Sequence, residues 1–295
     1  MLVVIYGGLA IGVAGISVAA VLIRLAGDAP AMTIATYRMG ISALVVAVPT
    51  LIMARGQLGN VTSKDVRWLL LAGVFLAAHV AMWITSLELT SVANSVLLVT
   101  TTPVFVAIGS HWGLRERVSS TIAAAVALSL AGGVVLAWGQ GGDNSQLLGD
   151  GLALAGSVCA AGYMLVGRKV RGHIPLLPYV TIVYGAAAVI LLVSTASMGE
   201  PLIGFSSETY LWMVLVALIP QVIGHSGLNW ALAHLNVTVV TLAVRAEPVI
   251  ATLLAIPVLN ETPGWAVLPG GAFILAGVGV AIRAQFRMSG TTASV

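Results

Sequence analysis

The chain has 295 residues, of which 59% are hydrophobic and only 8% charged, with 13 Lys and Arg against 10 Asp and Glu. A soluble domain carries about 25% charged residues, so the composition excludes water as the main solvent and places apolar side chains against lipid. The net charge of +3 is scattered in short clusters between apolar runs, which speaks for loop topology and against a nucleic-acid partner; the single cysteine, Cys159, excludes an intramolecular disulfide and a cysteine-based metal site.

A hydrocarbon core of about 30 Å needs about 20 apolar residues per helix. In chain order, ten runs of that kind lie at residues 3–25, 31–54, 66–87, 92–113, 119–139, 148–168, 176–198, 209–234, 237–258 and 264–284. The first lacks the basic n-region of a signal peptide and reads as a membrane span. Very short links at Leu89–Ser91 and Leu235–Asn236 make the helices on either side antiparallel neighbours. Arg55, Lys64, Arg67, Arg115, Arg117, Arg168, Lys169, Arg171, Arg283 and Arg287 fall on one side of this arrangement and only Arg24 on the other, while Arg38 and Arg245 lie within helices. Positive residues are retained in the cytoplasm, so a multi-pass protein of the cell's inner (cytoplasmic) membrane with both termini cytoplasmic is expected.

The sequence also matches itself at an offset of 145 residues: Pro30 falls on Pro175, Pro103 on Pro248, Glu116 on Glu261, and Leu130-Ala131-Gly132 on Leu275-Ala276-Gly277. Five spans per copy is an odd number, so the second copy enters the membrane from the opposite side. The expected fold is therefore all-α and polytopic, ten transmembrane helices as two inverted five-helix repeats at residues 1–140 and 148–285, with a cytoplasmic tail at 286–295. Inverted repeats characterise secondary transporters that alternate access to a midplane site.

The chain resembles the drug/metabolite transporter superfamily, in particular its EamA-type ten-helix members. The resemblance is carried by Pro30 with Tyr37-Arg38, by Pro103 followed by Gly113-Leu114-Arg115-Glu116, by Leu130-Ala131-Gly132, and in the second copy by Glu247-Pro248, Asn260-Glu261 and Leu275-Ala276-Gly277. It implies a non-enzymatic exporter of small metabolites; overall similarity to the YddG-type branch implies amino acids, aromatic ones and methionine, with drugs or nucleotide precursors as the alternative cargo. Small multidrug relatives use an acidic residue in their first helix, and residues 3–25 here contain none.

Ionisable groups in hydrocarbon are site candidates. His79 and Trp83, spaced i, i+4, share one helix face and form the leading substrate contact; His225 and Asn229 repeat the spacing near the equivalent place in the second copy. Arg38 suits a substrate carboxylate as a bidentate donor, with snorkelling as the alternative. Tyr37, Ser42, Asn94, Tyr163 and Trp230 complete the expected substrate pocket, although each taken alone is more often packing. Arg245 and Glu247 project about 200° apart and are the candidates for coupling or gating, against interhelical anchoring next to Pro248. Glu116 and Glu261 read as structural capping, and Gly8-Leu9-Ala10-Ile11-Gly12 as close helix packing.

Two readings from other classes compete. A channel would show a charged ring or repeated filter, and neither is present in the sequence. An intramembrane serine protease is raised by Gly224-His225-Ser226-Gly227, a GxSG match that would need a histidine from another helix. No P-loop, HExxH or Cys/His cluster occurs, so no cofactor and no metal are expected; the expected partners are a small-molecule substrate and the lipid bilayer, and the sequence is compatible with a monomer.

Overall fold

The computed structural model describes residues 2–111, 119–138, 147–259 and 265–292; within them the chain is helical throughout its regular elements. The first apolar run folds as α1 (Leu2–Ser17) and α2 (Ala19–Leu25), followed by α3 (Ala31–Met53), a short α4 (Arg55–Leu58) and α5 (Ser63–Leu89). The fourth run is two half-helices, α6 (Val92–Val99) and α7 (Thr102–Gly109), and the fifth is α8 (Ser120–Trp138). The second half opens with α9 (Leu147–Arg171) and α10 (Leu176–Ser197). Its next run divides into α11 (Ser207–Val216), a π-helical segment Ala217–His225 and α12 (Ser226–Leu232); α13 (Val237–Val244), α14 (Glu247–Leu259) and α15 (Val267–Thr292) complete the chain. Among the described residues seven helical stretches are long and apolar enough to cross a bilayer, and Asn94–Gly109, Ser120–Val135 and Leu268–Ala284 are shorter apolar helices. The protein is an all-α polytopic membrane protein.

The fourth and ninth runs, expected as continuous helices, are each broken in mid-course. Pro103 and Pro248 supply the reason: proline donates no N–H and its ring collides with the preceding turn, so each helix stops and restarts with proline in its new first turn. The motifs Gly113-Leu114-Arg115-Glu116 and Asn260-Glu261 lie outside the described residues. At the chain's end α15 continues to Thr292, into the segment expected as a tail.

Helix ends are tied down by specific groups. Pro30, at the start of α3, offers no side-chain cap; Glu88 from the end of α5 supplies one, its Oε1 accepting from Ala31 N at 2.8 Å, where a carboxylate also complements the helix dipole. α5 begins with a reciprocal Thr62/Asp65 capping box, and Trp68 on its first turns lies 3.7 Å from Lys169 Nζ on α9, a cation–π contact. The polarity is that of a lipid-solvated protein: Arg38 and Arg245 are 1% exposed, whereas Leu44 is 71% and Leu268 83% exposed.

The two halves pack as images of one another. Thr36 bonds Thr195 at 2.8 Å and Thr50 bonds Thr181 at 2.7 Å across α3 and α10; shifting 36 and 50 by the repeat offset gives 181 and 195, so each bond is the other's symmetry mate. The same holds where α8 meets α15. A Cβ on Gly132 would lie 2.6 Å from Gly270 O and 2.8 Å from Ile274 N, and one on Gly277 would lie 2.7 Å from Ala125 O and 3.1 Å from Ser129 N. Arg245 even bonds its own counterpart, Thr100, at 3.1 Å, which places that pair on the pseudo-twofold axis.

Because the obstacles at Gly132 are backbone atoms, Gly132→Ala must spread α8 from α15, at a cost of about 1–3 kcal/mol. Gly40→Ala, with nothing within 4 Å, should be neutral or slightly stabilising through helix propensity. Thermal unfolding of the two variants in detergent, followed by tryptophan fluorescence, checks the contrast.

Candidate functional site

Both helix breaks line one buried cavity. Val99, Thr100 and Thr102 reach it from the α6–α7 break and Val244 and Glu247 from the α13–α14 break; Arg38 (α3), His79 and Trp83 (α5), Tyr163 (α9) and His225 complete its polar wall. Its volume is about 50 Å³, room for about three or four waters, so an amino-acid-sized guest requires the walls to part. A larger apolar groove of about 540 Å³ runs between α3 and α10, but it carries no charged side chain and its walls include the exposed Leu44, Val189 and Leu192. The chemistry is in the smaller cavity.

Each polar group in that wall is held by a definable local reason. His79 Nδ1 donates to Gly156 O at 3.0 Å, which leaves Nε2 an acceptor in the neutral ring. One turn on, Trp83 lies parallel to it, the planes within 1° and centroids 6.2 Å apart. Arg38 Cζ stands 5.6 Å from the Trp83 ring centroid, and Arg38 Nε donates to Gln221 Oε1 at 2.9 Å. His225 sits 6.2 Å from His79 and 6.1 Å from Tyr163, centroid to centroid. Tyr163 Oη accepts from Asn229 Nδ2. Of these groups, Arg38 Nη1, Trp83 Nε1, His225 Nδ1 and Gln221 Nε2 are buried with no hydrogen-bond partner among the described residues. A buried donor without a partner costs about 1–3 kcal/mol, and here several gather around one cavity.

The expected site residues therefore separate into two groups. Arg38, His79, Trp83, Tyr163, His225 and Glu247 are brought together, with Asn229 directly behind Tyr163. Tyr37 points instead to the loop after α10, donating to Leu202 O at 2.8 Å. Ser42 donates to Arg38 O and Ala217 O, at 2.6 and 3.0 Å, and so ties α3 to the π-helical segment. Asn94 belongs to the first turn of α6, where its N–H is capped by Ser91. Trp230 packs on Gly8 of α1 and on His234. Arg245 turns away from Glu247: Nε and Nη2 donate to Ser129 Oγ and O at 2.9 and 2.8 Å, and Nη1 to Thr100 Oγ1 and Leu97 O at 3.1 and 3.4 Å. That is an interhelical anchor between α6, α8 and the α13–α14 break.

The sequence reading missed Gln221, Tyr184 and the threonines of the α6–α7 break. A glutamine in a proline-containing apolar stretch carried a signal, since a buried amide requires partners. The GxSG match has a packing explanation in this structure: Gly224 and Gly227 lie in backbone contact with Gly12 and Gly15 of α1, and Ser226 Oγ pairs with Tyr184 Oη at 3.2 Å.

Comparison with known proteins agrees with this architecture. The sequence profile of the EamA-like transporter family matches residues 2–138 and 147–283. The uncharacterized transporter YdfC of Bacillus subtilis (strain 168) is 25% identical over 182 residues, covering 62% of this chain and 60% of that protein. The chain thus spans less than two thirds of that relative's length. An uncharacterized transporter of Archaeoglobus fulgidus is 29% identical over 201 residues, covering 65% of this chain and 68% of that protein. A solved crystal structure shares the fold with a TM-score of 0.77 at 22% identity, over 96% of this chain and 99% of that one.

Replacing Arg245 by Leu removes the four bonds that tie α6 and α8 to the α13–α14 break. Hydrogen bonds from a charged group are worth about 1.5–3 kcal/mol, so Arg245→Leu should lower the unfolding temperature in detergent while leaving ligand selectivity unchanged; a thermal-stability assay with a competition panel reads both.

Proposed function

Since the chain belongs to the EamA-like transporter family, we propose that it exports carboxylate-bearing amphipathic metabolites, aromatic amino acids and methionine first among them, by alternating access around the central cavity. In this reading it lies in the inner membrane with both termini cytoplasmic, as the segregation of Lys and Arg supports. The observation that carries the substrate class is the set of unpartnered donors around one cavity, Arg38 Nη1 and Trp83 Nε1 above all. A carboxylate accepts from both types of group, and a guanidinium edge suits it bidentately. The parallel rings of His79 and Trp83 offer an apolar face to an aromatic side chain. Glu247, which lines the same cavity within electrostatic reach of Arg38, is the group we assign to receive the ammonium group or to gate.

Two features support a carrier. The cavity is too small for such a solute in this conformation, so passage requires the halves to rearrange, and the two half-helix breaks flank it as they do in transporters whose sites lie at the repeat interface. Drugs or nucleotide precursors remain the alternative cargo, and the same assay separates them.

That assay is counterflow of labelled phenylalanine, tryptophan, methionine and non-amino-acid metabolites in proteoliposomes, with and without a pH gradient. Saturable amino-acid counterflow is expected. His79→Ala and Trp83→Ala should each raise KM by about tenfold, the equivalent of about 1.4 kcal/mol, with folded yield preserved; unaltered transport by both would remove the contact face. Should a pH gradient accelerate transport, Glu247→Gln is expected to abolish the acceleration.

A further inference from the structure

Arg38 is a guanidinium only 1% exposed whose hydrogen-bond partner, like those of Arg245, is neutral. Its Nε donates to the side-chain oxygen of Gln221, an uncharged acceptor. The orientation of that amide is fixed by chemistry, since Arg Nε–H can only donate; Oε1 therefore faces Arg38, and Nε2 is left buried without a partner. The guanidinium is held on one edge, its charge is not neutralised by this contact, and Nη1 on the other edge has no partner among the described residues.

The fold invests several contacts in placing Gln221 there. It lies in the π-helical segment Ala217–His225, whose extra residue per turn shifts the facing of the side chains that follow Pro220. The segment is fixed on three sides: by backbone contact of Gly224 with Gly15 of α1, by Ser42 of α3 on Ala217 O, and by Tyr184 of α10, which donates to Gln221 O at 3.4 Å. At the repeat-related positions stand Leu76 for Gln221 and Val183 for Arg38, so the pair exists in one copy only and is not required by the shared scaffold. A leucine at 221 would leave Arg38 Nε without an acceptor, and a glutamate would form an ion pair that competes with any incoming anion.

We propose that Gln221 is a specificity-determining positioning residue: by holding Arg38 through a neutral acceptor, it makes the cavity select solutes that carry a carboxylate. This rests on the reading of the cavity as the site for a carboxylate-bearing substrate, and it adds the residue that keeps Arg38 available to that carboxylate. The same logic gives Gln221→Glu a particular signature, in which affinity for carboxylates falls while affinity for the corresponding amines does not.

The test compares phenylalanine, 3-phenylpropionate and phenethylamine in proteoliposome counterflow, and their binding by thermal shift, for the native protein, Gln221→Glu, Gln221→Leu and Arg38→Ala. The native protein should take the two carboxylates in preference to the amine. Gln221→Glu should raise KM for both carboxylates by at least about tenfold, as loss of a charge-assisted hydrogen bond predicts, with phenethylamine unchanged or improved and maximal rates little altered. Should Gln221→Glu fail to fold, Gln221→Leu carries the test, since it too must weaken carboxylates. Carboxylate KM values within about twofold of native in whichever variant folds, with Arg38→Ala inactive, overturn the role of Gln221 and leave the cavity reading standing. A native protein that takes the amine as well as the carboxylates, or binds none of the three, overturns the cavity reading and this proposal with it.

Discussion

Hydrocarbon offers no hydrogen bonds, so every polar group taken into the bilayer must find its partner inside the protein. The break at Pro103 makes that demand concrete. Thr101 N turns back to Leu98 O at 3.1 Å, and Leu97 O, the acceptor it would have used in a continuous helix, is met by Thr100 Oγ1 of the same run at 3.1 Å and by Arg245 Nη1 at 3.4 Å. The defect in the fourth run is thus repaired jointly by its own threonine and by a side chain from the break in the ninth. Arg245 completes its set with Thr100 and Ser129, neutral acceptors all, and the cavity forms where the two repaired breaks meet. A charge at a helix centre costs at least about 2.5–3.5 kcal/mol on insertion scales; Arg245 offsets this cost with four bonds and becomes the crosspiece of the fold.

Around that crosspiece the scaffold is duplicated and the chemistry is one-sided. Threonine pairs and glycine contacts recur in both halves, yet Arg38 faces an equivalent Val183, Glu247 an equivalent Thr102, and Tyr163 an equivalent Val18. A symmetric frame with an asymmetric lining gives any bound solute one orientation.

The apolar runs, their rough ends and the internal match were readable because hydrophobic run length and a constant offset survive in a single sequence. So was the face of His79 and Trp83, since i, i+4 spacing is local geometry. What could not be read was helix rotation. In water a polar stripe marks the outer face, but here lipid and core are both apolar, and the amphipathic signal that would have turned Tyr37 and Trp230 away from the cavity is absent. Ser42 is ambiguous in the sequence for a related reason: its hydroxyl bonds two backbone carbonyls, a use that composition cannot distinguish from substrate contact. Gln221 escaped notice because its significance lies in a π-helical turn and in one partner 183 positions away.

The crossed threonine bonds of α3 and α10 bear on energetics beyond packing. Under the alternating access proposed for this chain, exchanging the conformations of the halves carries Thr36–Thr195 onto Thr181–Thr50 and back again, so this contact contributes equally to both end states. It acts as a bearing without a detent. In that scheme whatever sets the resting side must come from groups with no image in the other repeat, and Arg38, Gln221 and Glu247 are among them.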